Sequence, residues 1–282
     1  MRSHDESGGG FARWLGLYAA LAAMALYNLL PFFWMVSSSF KTDIEVTSFP
    51  ATILPQSFTV DAYARIWGQE GLVRYFLNSL QVSGATALLS ATIGVFCAYG
   101  FSRFRFRGRN TMMVMFLASQ VIPGVLLVGP YFKMMSFAGL YNTHLGLILA
   151  QTTLTLPFSV WMLKGYIDSV PLEIDQAAEI DGASRLQCLW HCILPNILPG
   201  LVATMVFAFL LAWGDLLWAL CLISEPSKQT MTLGITNLVG QFRVLWSDIM
   251  AATVIGCAIP AGAYVFLQRY LVKSSAGSAV KG

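Results

Sequence analysis

The sequence predicts an all-α membrane protein with six transmembrane helices, and three observations predict it. Charged residues make up 11% of the 282 residues and hydrophobic ones 56%, with a mean hydropathy of +0.65, which excludes an ordinary soluble domain. Six apolar runs are each long enough to cross a hydrocarbon layer of ~30 Å. Lysines and arginines are shared unevenly between the two sides of those runs. On this reading residues 1–13 are an N-terminal tail, 14–271 one six-span domain with a polar loop at 166–197, and 272–282 a C-terminal tail.

Met1 to Gly10 is polar and ends in three glycines, with neither the lysine nor the strand of a phosphate loop. The first apolar run, Trp14 to Val36, is too long for a signal-peptide core of about 7 to 15 residues and is flanked by aromatics instead of a cleavage site. Ser37 to Arg74, with Pro50 and Pro55, is the longest polar connection and reads as an extracytoplasmic cap without the patterning of an independent domain. The second span, Leu77 to Phe101, runs into the basic turn Arg103-Phe-Arg-Phe-Arg-Gly-Arg109. Between two spans such a turn is an orientation signal far more often than an RNA-binding element.

The third span, Thr111 to Tyr131, contains Gln120, Pro123 and Pro130, and the fourth, Leu145 to Leu163, contains Gln151, Thr152 and Pro157. Prolines and amides at membrane depth are tolerated where neighbouring helices or a water-filled path satisfy the freed backbone groups, so Gln120, Gln151 and Thr152 are candidates for a path lining. The fifth span, Leu198 to Ile223, is expected to run as one helix through Trp213-Gly-Asp215, and Asp215 is the one acid placed inside a span. A carboxylate there costs too much to face lipid, so either the span is shifted and Asp215 lies solvated near its outer end, or Trp213 and Asp215 are path candidates too, a ring face for stacking and an acceptor for hydroxyls. The connection Ser224 to Asp248 leads to the sixth span, Ile249 to Leu271, which holds Pro260.

Orientation follows from the basic residues. Arg2, Arg13, Arg103, Arg105, Arg107, Arg109, Lys164, Arg185, Arg269, Lys273 and Lys281 fall on one side, against Lys41, Arg65, Arg74, Lys133, Lys228 and Arg243 on the other, so both termini and the loop 166–197 are expected in the cytoplasm. Five cysteines form no disulfide framework. Cys188, His191 and Cys192 lie close on one helix without a fourth ligand, so no metal site is expected.

That loop is the longest segment between spans that reads as helix. Pro171 suits a first helical turn, Glu173 and Asp175 suit its positive end, Gly182 breaks it, and Ser184 can cap a second helix to Cys192 that Pro195 stops. The spacing resembles the EAA loop of permease subunits of ATP-binding cassette importers, Glu-Ala-Ala, then Gly, then Ile-x-Leu-Pro. Ala177, Ala178, Gly182, Leu194 and Pro195 fall in register, while Gln176 stands for the family's Glu and Cys192 for its Ile. Further stretches resemble the MalG-like carbohydrate branch: Ser39-Phe-Lys-Thr, Asn78-Ser79, Ala98-Tyr-Gly-Phe-Ser-Arg103, Phe106-Arg-Gly-Arg109, Ala212-Trp-Gly-Asp-Leu-Leu-Trp218, Gln268-Arg-Tyr270 and the ending Ala279-Val-Lys-Gly282.

The resemblance implies a type I ABC importer permease fold in a bacterial inner membrane, importing a sugar or sugar derivative. It implies a MalF-like second permease, two ATPase subunits and a periplasmic or lipid-anchored solute-binding protein as partners, within the lipid bilayer and without nucleic acid. Glu173, Gln176, Ala177, Ala178, Glu179, Asp181, Gly182, Leu194 and Pro195 would face or shape the ATPase contact, and Val280, Lys281 and Gly282 would reach the same subunits. The chain has no Gly-Lys dipeptide, hence no P-loop. Catalytic residues and cofactors are therefore not expected here, ATP and Mg being held by the ATPases. A permease for another small polar solute is the alternative. A polytopic enzyme lacks its nucleophile, base or His-Glu-x-x-His, and a secondary transporter would need repeated broken helices and more intramembrane ionisable groups.

Overall fold

A computed structural model describes residues 6–68, 70–239 and 244–278. The chain divides into two units, Met1–Gln69 with Leu238–Ile255, and Glu70–Asn237 with Gly256–Gly282. Among the described residues the secondary structure is helical apart from one isolated bridge, Val239 to Val244. Four helices are long and apolar enough to span a membrane, and two bent helix pairs bring the number to six if each pair is one span.

In the first unit, α1 (Glu6–Ser39) begins well before the expected span, so the stretch read as a tail is helical from Glu6. The connection after it is more ordered than its polar composition suggests. Within it lie α2 (Asp43–Thr47), capped by Thr42, and α3 (Asp61–Gly68). Lys41 is buried, its ammonium 4.7 Å from the Trp34 ring and donating to the Thr52 carbonyl. Glu45 accepts from the Gln56 N–H at 2.7 Å, from Thr52 Oγ1 at 3.0 Å and from the Ser57 N–H at 3.3 Å, and these donors, Gln56 first, hold its carboxyl below the usual carboxylate range. Arg65 Nη2 sits 2.5 Å from Asp248 Oδ1, and Ser247 Oγ donates to Asp43 at 2.7 Å, tying α2 and α3 to the residues that start the last helix.

The second unit is built on α4 (Glu70–Arg103) lying along α7 (His144–Asp168), with α11 (Leu198–Trp213) packed on both. Small and hydroxyl-bearing residues line the α4–α7 seam, letting the backbones approach closely as membrane helices must when burial alone gives no driving force. Ser90 and Thr155 hydroxyls meet at 2.6 Å and Thr86 donates to Gln151 Oε1 at 3.3 Å. On α11, Gly200 lies so close to the Tyr166 ring that any Cβ would collide with it.

The third span is broken: α5 (Arg109–Ala118) and a 3₁₀ turn to Val121 meet α6 (Gly124–Phe137) at 100°, because Pro123 follows directly. The hairpin α8 (Leu172–Ile180) and α9 (Arg185–Cys188) follows α7. Pro195 does not end the second helix as expected. The chain passes through a π segment, Leu189–Ile193, into α10 (Leu194–Asn196) and bends by 82° into α11. A π turn relaxes the ladder where Pro195 supplies no N–H and its ring crowds the preceding turn.

The fifth span is not one helix either. α11 ends at Trp213 and α12 (Leu217–Leu222) restarts after Gly214-Asp215-Leu216. α13 (Met231–Thr236) occupies part of the next connection, and α14 (Trp246–Ser278) starts before Ile249 and continues past Leu271, so the expected C-terminal tail is helical to Ser278.

Candidate functional site

The loop 166–197 folds as a hairpin whose turn is defined by two caps. Gly182 takes φ +84°, a left-handed conformation that only glycine adopts without strain. Its N–H donates to Glu179 O at 3.0 Å and the Ala183 N–H to Ala178 O at 2.9 Å, which satisfies the last carbonyls of α8 in a Schellman motif. One residue later Ser184 Oγ accepts from the Gln187 N–H at 3.3 Å while Gln187 Oε1 accepts from the Ser184 N–H at 2.8 Å, a capping box that starts α9. The left-handed glycine sets the direction in which the second helix leaves.

The hairpin has two faces. Ala178, Cys188, Leu189, Ile193 and Ile197 pack with Val95, Ala98 and Tyr99 of α4 and Leu163, Ile167 and Val170 at the end of α7 in one buried cluster. Leu194 packs against that cluster, while Pro195 is exposed. Of the residues expected at the contact, Ala178 and Leu194 belong to the inner face because they pack on α4 and α7, whereas Glu173, Gln176, Ala177, Glu179, Asp181 and Gly182 lie on the exposed face. Beside them stand exposed apolar side chains that sequence reasoning did not single out, Leu172, Leu186 and, at the tip, Ile180 at 86% exposure. Glu179 forms an ion pair with Arg185 across the turn.

Asp175, in the acidic start of α8, does not lie on the outward face. Its carboxylate is buried, with Oδ2 3.0 Å from Arg103 Nη2, and both side chains are about 5% exposed or less (4% and 5%). Arg103 Nη2 also donates to the Val170 carbonyl at 2.8 Å, while Arg103 Nε and Asp175 Oδ2 have no aligned hydrogen-bond partner among the described residues. The pair is thus a charge contact, and it ties the last residue of α4 to the middle of α8. Arg103 is therefore more than an orientation signal. Cys188 Sγ lies 3.5 Å from Asp175 Oδ1, and burial first, then the neighbouring carboxylate, push its thiol up to about 11. We expect Cys188 to stay unmodified by N-ethylmaleimide at neutral pH in the folded protein and to react only on denaturation. Rapid native labelling, read by mass spectrometry, would contradict this packing. Among the described residues no three His, Cys, Asp or Glu side chains cluster as a metal site.

Residues 90–275, which contain the whole hairpin, match the family model described as binding-protein-dependent transport system inner membrane component. The chain belongs to that family. It is 36% identical over 270 residues to the inner membrane ABC transporter permease protein YcjP of Escherichia coli K12, covering 95% of this chain and 96% of the relative. It is 31% identical over 262 residues to the trehalose/maltose transport system permease protein MalG of Thermococcus litoralis, covering 92% and 94%. A crystal structure of a bacterial ABC transporter that imports the acidic polysaccharide alginate superposes with a TM-score of 0.81 at 20% identity, covering 96% of this chain and 99% of that one. That likeness speaks for the fold: an all-α ABC importer permease.

Of the residues expected to line the path, the permease buries Gln151, Thr152 and Trp213 and leaves Gln120 exposed. Gln151 is buried, donating to Asp215 Oδ2 at 3.1 Å and to Ala212 O at 3.4 Å, and Thr152 is buried and bonded to Ile148 O. Asp215 accepts from the N–H groups of Trp218 (3.4 Å) and Ala219 (3.3 Å), so its carboxylate serves the start of α12. Trp213 presents no free ring face: it is 4% exposed, stacked by Phe209, met edge-on by Phe76, and donates from Nε1 to Gly256 O at 3.0 Å. Gln120 is exposed at the break of the third span and donates to Leu154 O at 2.9 Å, in the turn before Pro157. Val280, Lys281 and Gly282 lie outside the described residues.

Proposed function

We propose that this chain is one of two permease subunits of an ATP-driven importer for a sugar or sugar derivative, lining half of the path and coupled to separate ATPase subunits through the hairpin 166–197. The observation that carries the coupling role is the two-faced hairpin. Its inner face shares one buried cluster with the ends of α4 and α7, so a push on its outer face reaches two spans without a flexible intermediate. The trehalose/maltose relative supports the substrate class.

On this reading the partners are a MalF-like permease, two ATPases holding ATP and Mg, and a solute-binding protein outside the inner membrane. Both termini and the hairpin lie in the cytoplasm, in keeping with the distribution of basic residues, and Val280 to Gly282 add a second ATPase contact. Closure of the ATPases on ATP would draw the hairpins together and open the path toward the binding protein.

Gly182→Leu tests the reading. A β-carbon there meets open space, so the cost is the left-handed backbone itself, about 1–2 kcal/mol, enough to re-aim the hairpin without preventing insertion. We expect normal membrane abundance with uptake lowered at least tenfold and no stimulation of the ATPase by loaded binding protein. Wild-type uptake and stimulation would remove the hairpin from coupling. Glu179→Lys should weaken co-purification of the ATPase more than Glu179→Gln does, because it places a like charge beside Arg185 and reverses the outer face. Equal ATPase recovery in both variants would count against an electrostatic contact.

A further inference from the structure

The basic turn after α4 is not fully used by the hairpin. Arg103 turns inward to Asp175, whereas Arg105 and Arg107 are exposed and form no ion pair with any described residue. Beside them a cavity of about 910 Å³ opens between the end of α4, the first turns of α5 and the last turns of α7. Arg109, Asn110 and Lys164 line one part of it, and Met113, Val114 and Trp161 the other. A second cavity, about 580 Å³, shares Arg109 and Asn110 and is walled by Arg105 and Arg107. The acid nearby, Asp168, is already engaged by Lys164 and by Ser102 at 2.6 Å. Arg105, Arg107, Arg109 and Lys164 against Asp168 leave this corner strongly cationic.

Two halves of different chemistry meet here. The cationic part asks for an anion that several guanidinium groups can share. The remaining wall is apolar and open: Val114 is 64% exposed and Trp161, an aromatic of the kind that settles at the membrane interface, 49%. A free phosphate would use the first half and a passing hydrocarbon chain the second. One ligand class uses both. We propose that this corner binds an anionic phospholipid, its phosphate held at Arg109 with Arg105 and Arg107 supporting beside the Lys164–Asp168 pair, and its acyl chains lying along Met113, Val114 and Trp161. The inference rests on the orientation proposed above for its leaflet, which is the cytoplasmic one, where juxtamembrane clusters of basic residues meet anionic headgroups.

The test uses the assembled transporter, purified from membranes and exchanged into nanodiscs of phosphatidylethanolamine with phosphatidylglycerol as the minor component. Each basic side chain near a headgroup contributes about fivefold, so Arg105→Gln/Arg107→Gln/Arg109→Gln should lower phosphatidylglycerol enrichment around the complex roughly a hundredfold, and the triple Lys variant should keep most of it. Millimolar inorganic phosphate should displace none of the lipid. Displacement by phosphate, or equal enrichment in wild type and the Gln variant, would overturn the proposal. A photo-crosslinker at Met113 gives a readout independent of charge and of whether the Gln variant assembles. Labelled phosphatidylglycerol supports a lipid site, whereas labelled partner permease makes this face a subunit interface and sinks the idea. A Gly182→Leu complex that transports nothing yet keeps its lipid would separate a failure of coupling from a failure of this site.

Discussion

Replacing Arg103 with Ala is expected to lower the stability of the permease by about 3–5 kcal/mol and to abolish coupled uptake. The reason is the asymmetry of buried ion pairs: forming one gains little over an apolar contact, but removing one partner leaves the other charge buried and unanswered. Among the described residues Asp175 has no other ion-pair partner, and its neighbour the Cys188 thiol is a weak donor. The Val170 carbonyl at the end of α7 loses its donor in the same step. The damage therefore falls on the joint between α4, α7 and α8, where coupling is proposed to pass. Arg103→Met combined with Asp175→Leu should recover most of the stability, because it removes both charges and keeps the volume. Melting of the purified complex and uptake in vesicles check both. A single Arg103→Ala variant that melts and transports like wild type would show that the pair is solvated and the joint lies elsewhere.

This joint also marks the boundary of what the sequence could tell. Turn chemistry was local and therefore legible. Gly182, Ser184 and the acidic first turn of α8 each act within a few residues of themselves, and the structure places a left-handed glycine, a capping box and a helix where the spacing predicts them. Arg103 was not legible, because its role depends on a partner far along the chain. In sequence it is one arginine among several in a basic turn, and only the packing of α4 on the hairpin turns it inward. Helix continuity failed for a related reason. Hydropathy sees Leu198 to Ile223 as one apolar run, yet the chain breaks after Trp213, since α12 restarts on a side chain that can accept from its first N–H groups. Pro195 misled in the opposite direction, because a π segment absorbs it where a strict α-helix would stop.

The unit Trp213-Gly-Asp215 yields the other large expected effect. Asp215 receives two backbone N–H groups of α12 and the Gln151 amide, while Thr232 Oγ1 donates to its main-chain oxygen at 2.7 Å. Asp215→Ala would leave the Trp218 and Ala219 N–H groups without their acceptor and take one of two acceptors from the Gln151 amide, while the Thr232 bond to the main chain persists, at about 1–3 kcal/mol for each group left unpaired. Trp213→Ala would open a cavity between α11 and α14, costing about 3–5 kcal/mol. Both variants should therefore reduce assembly of the transporter as much as they reduce uptake. That differs from a residue that only touches sugar, which would spare assembly. Asp215→Asn separates the two roles. Its carbonyl can still accept from α12, so assembly should return to near wild type, and uptake should return with it if the carboxylate serves the scaffold alone. Asn that assembles fully yet transports at the level of Ala would place the charge of Asp215 in the path after all, and would show that the break after Trp213 exists to expose it.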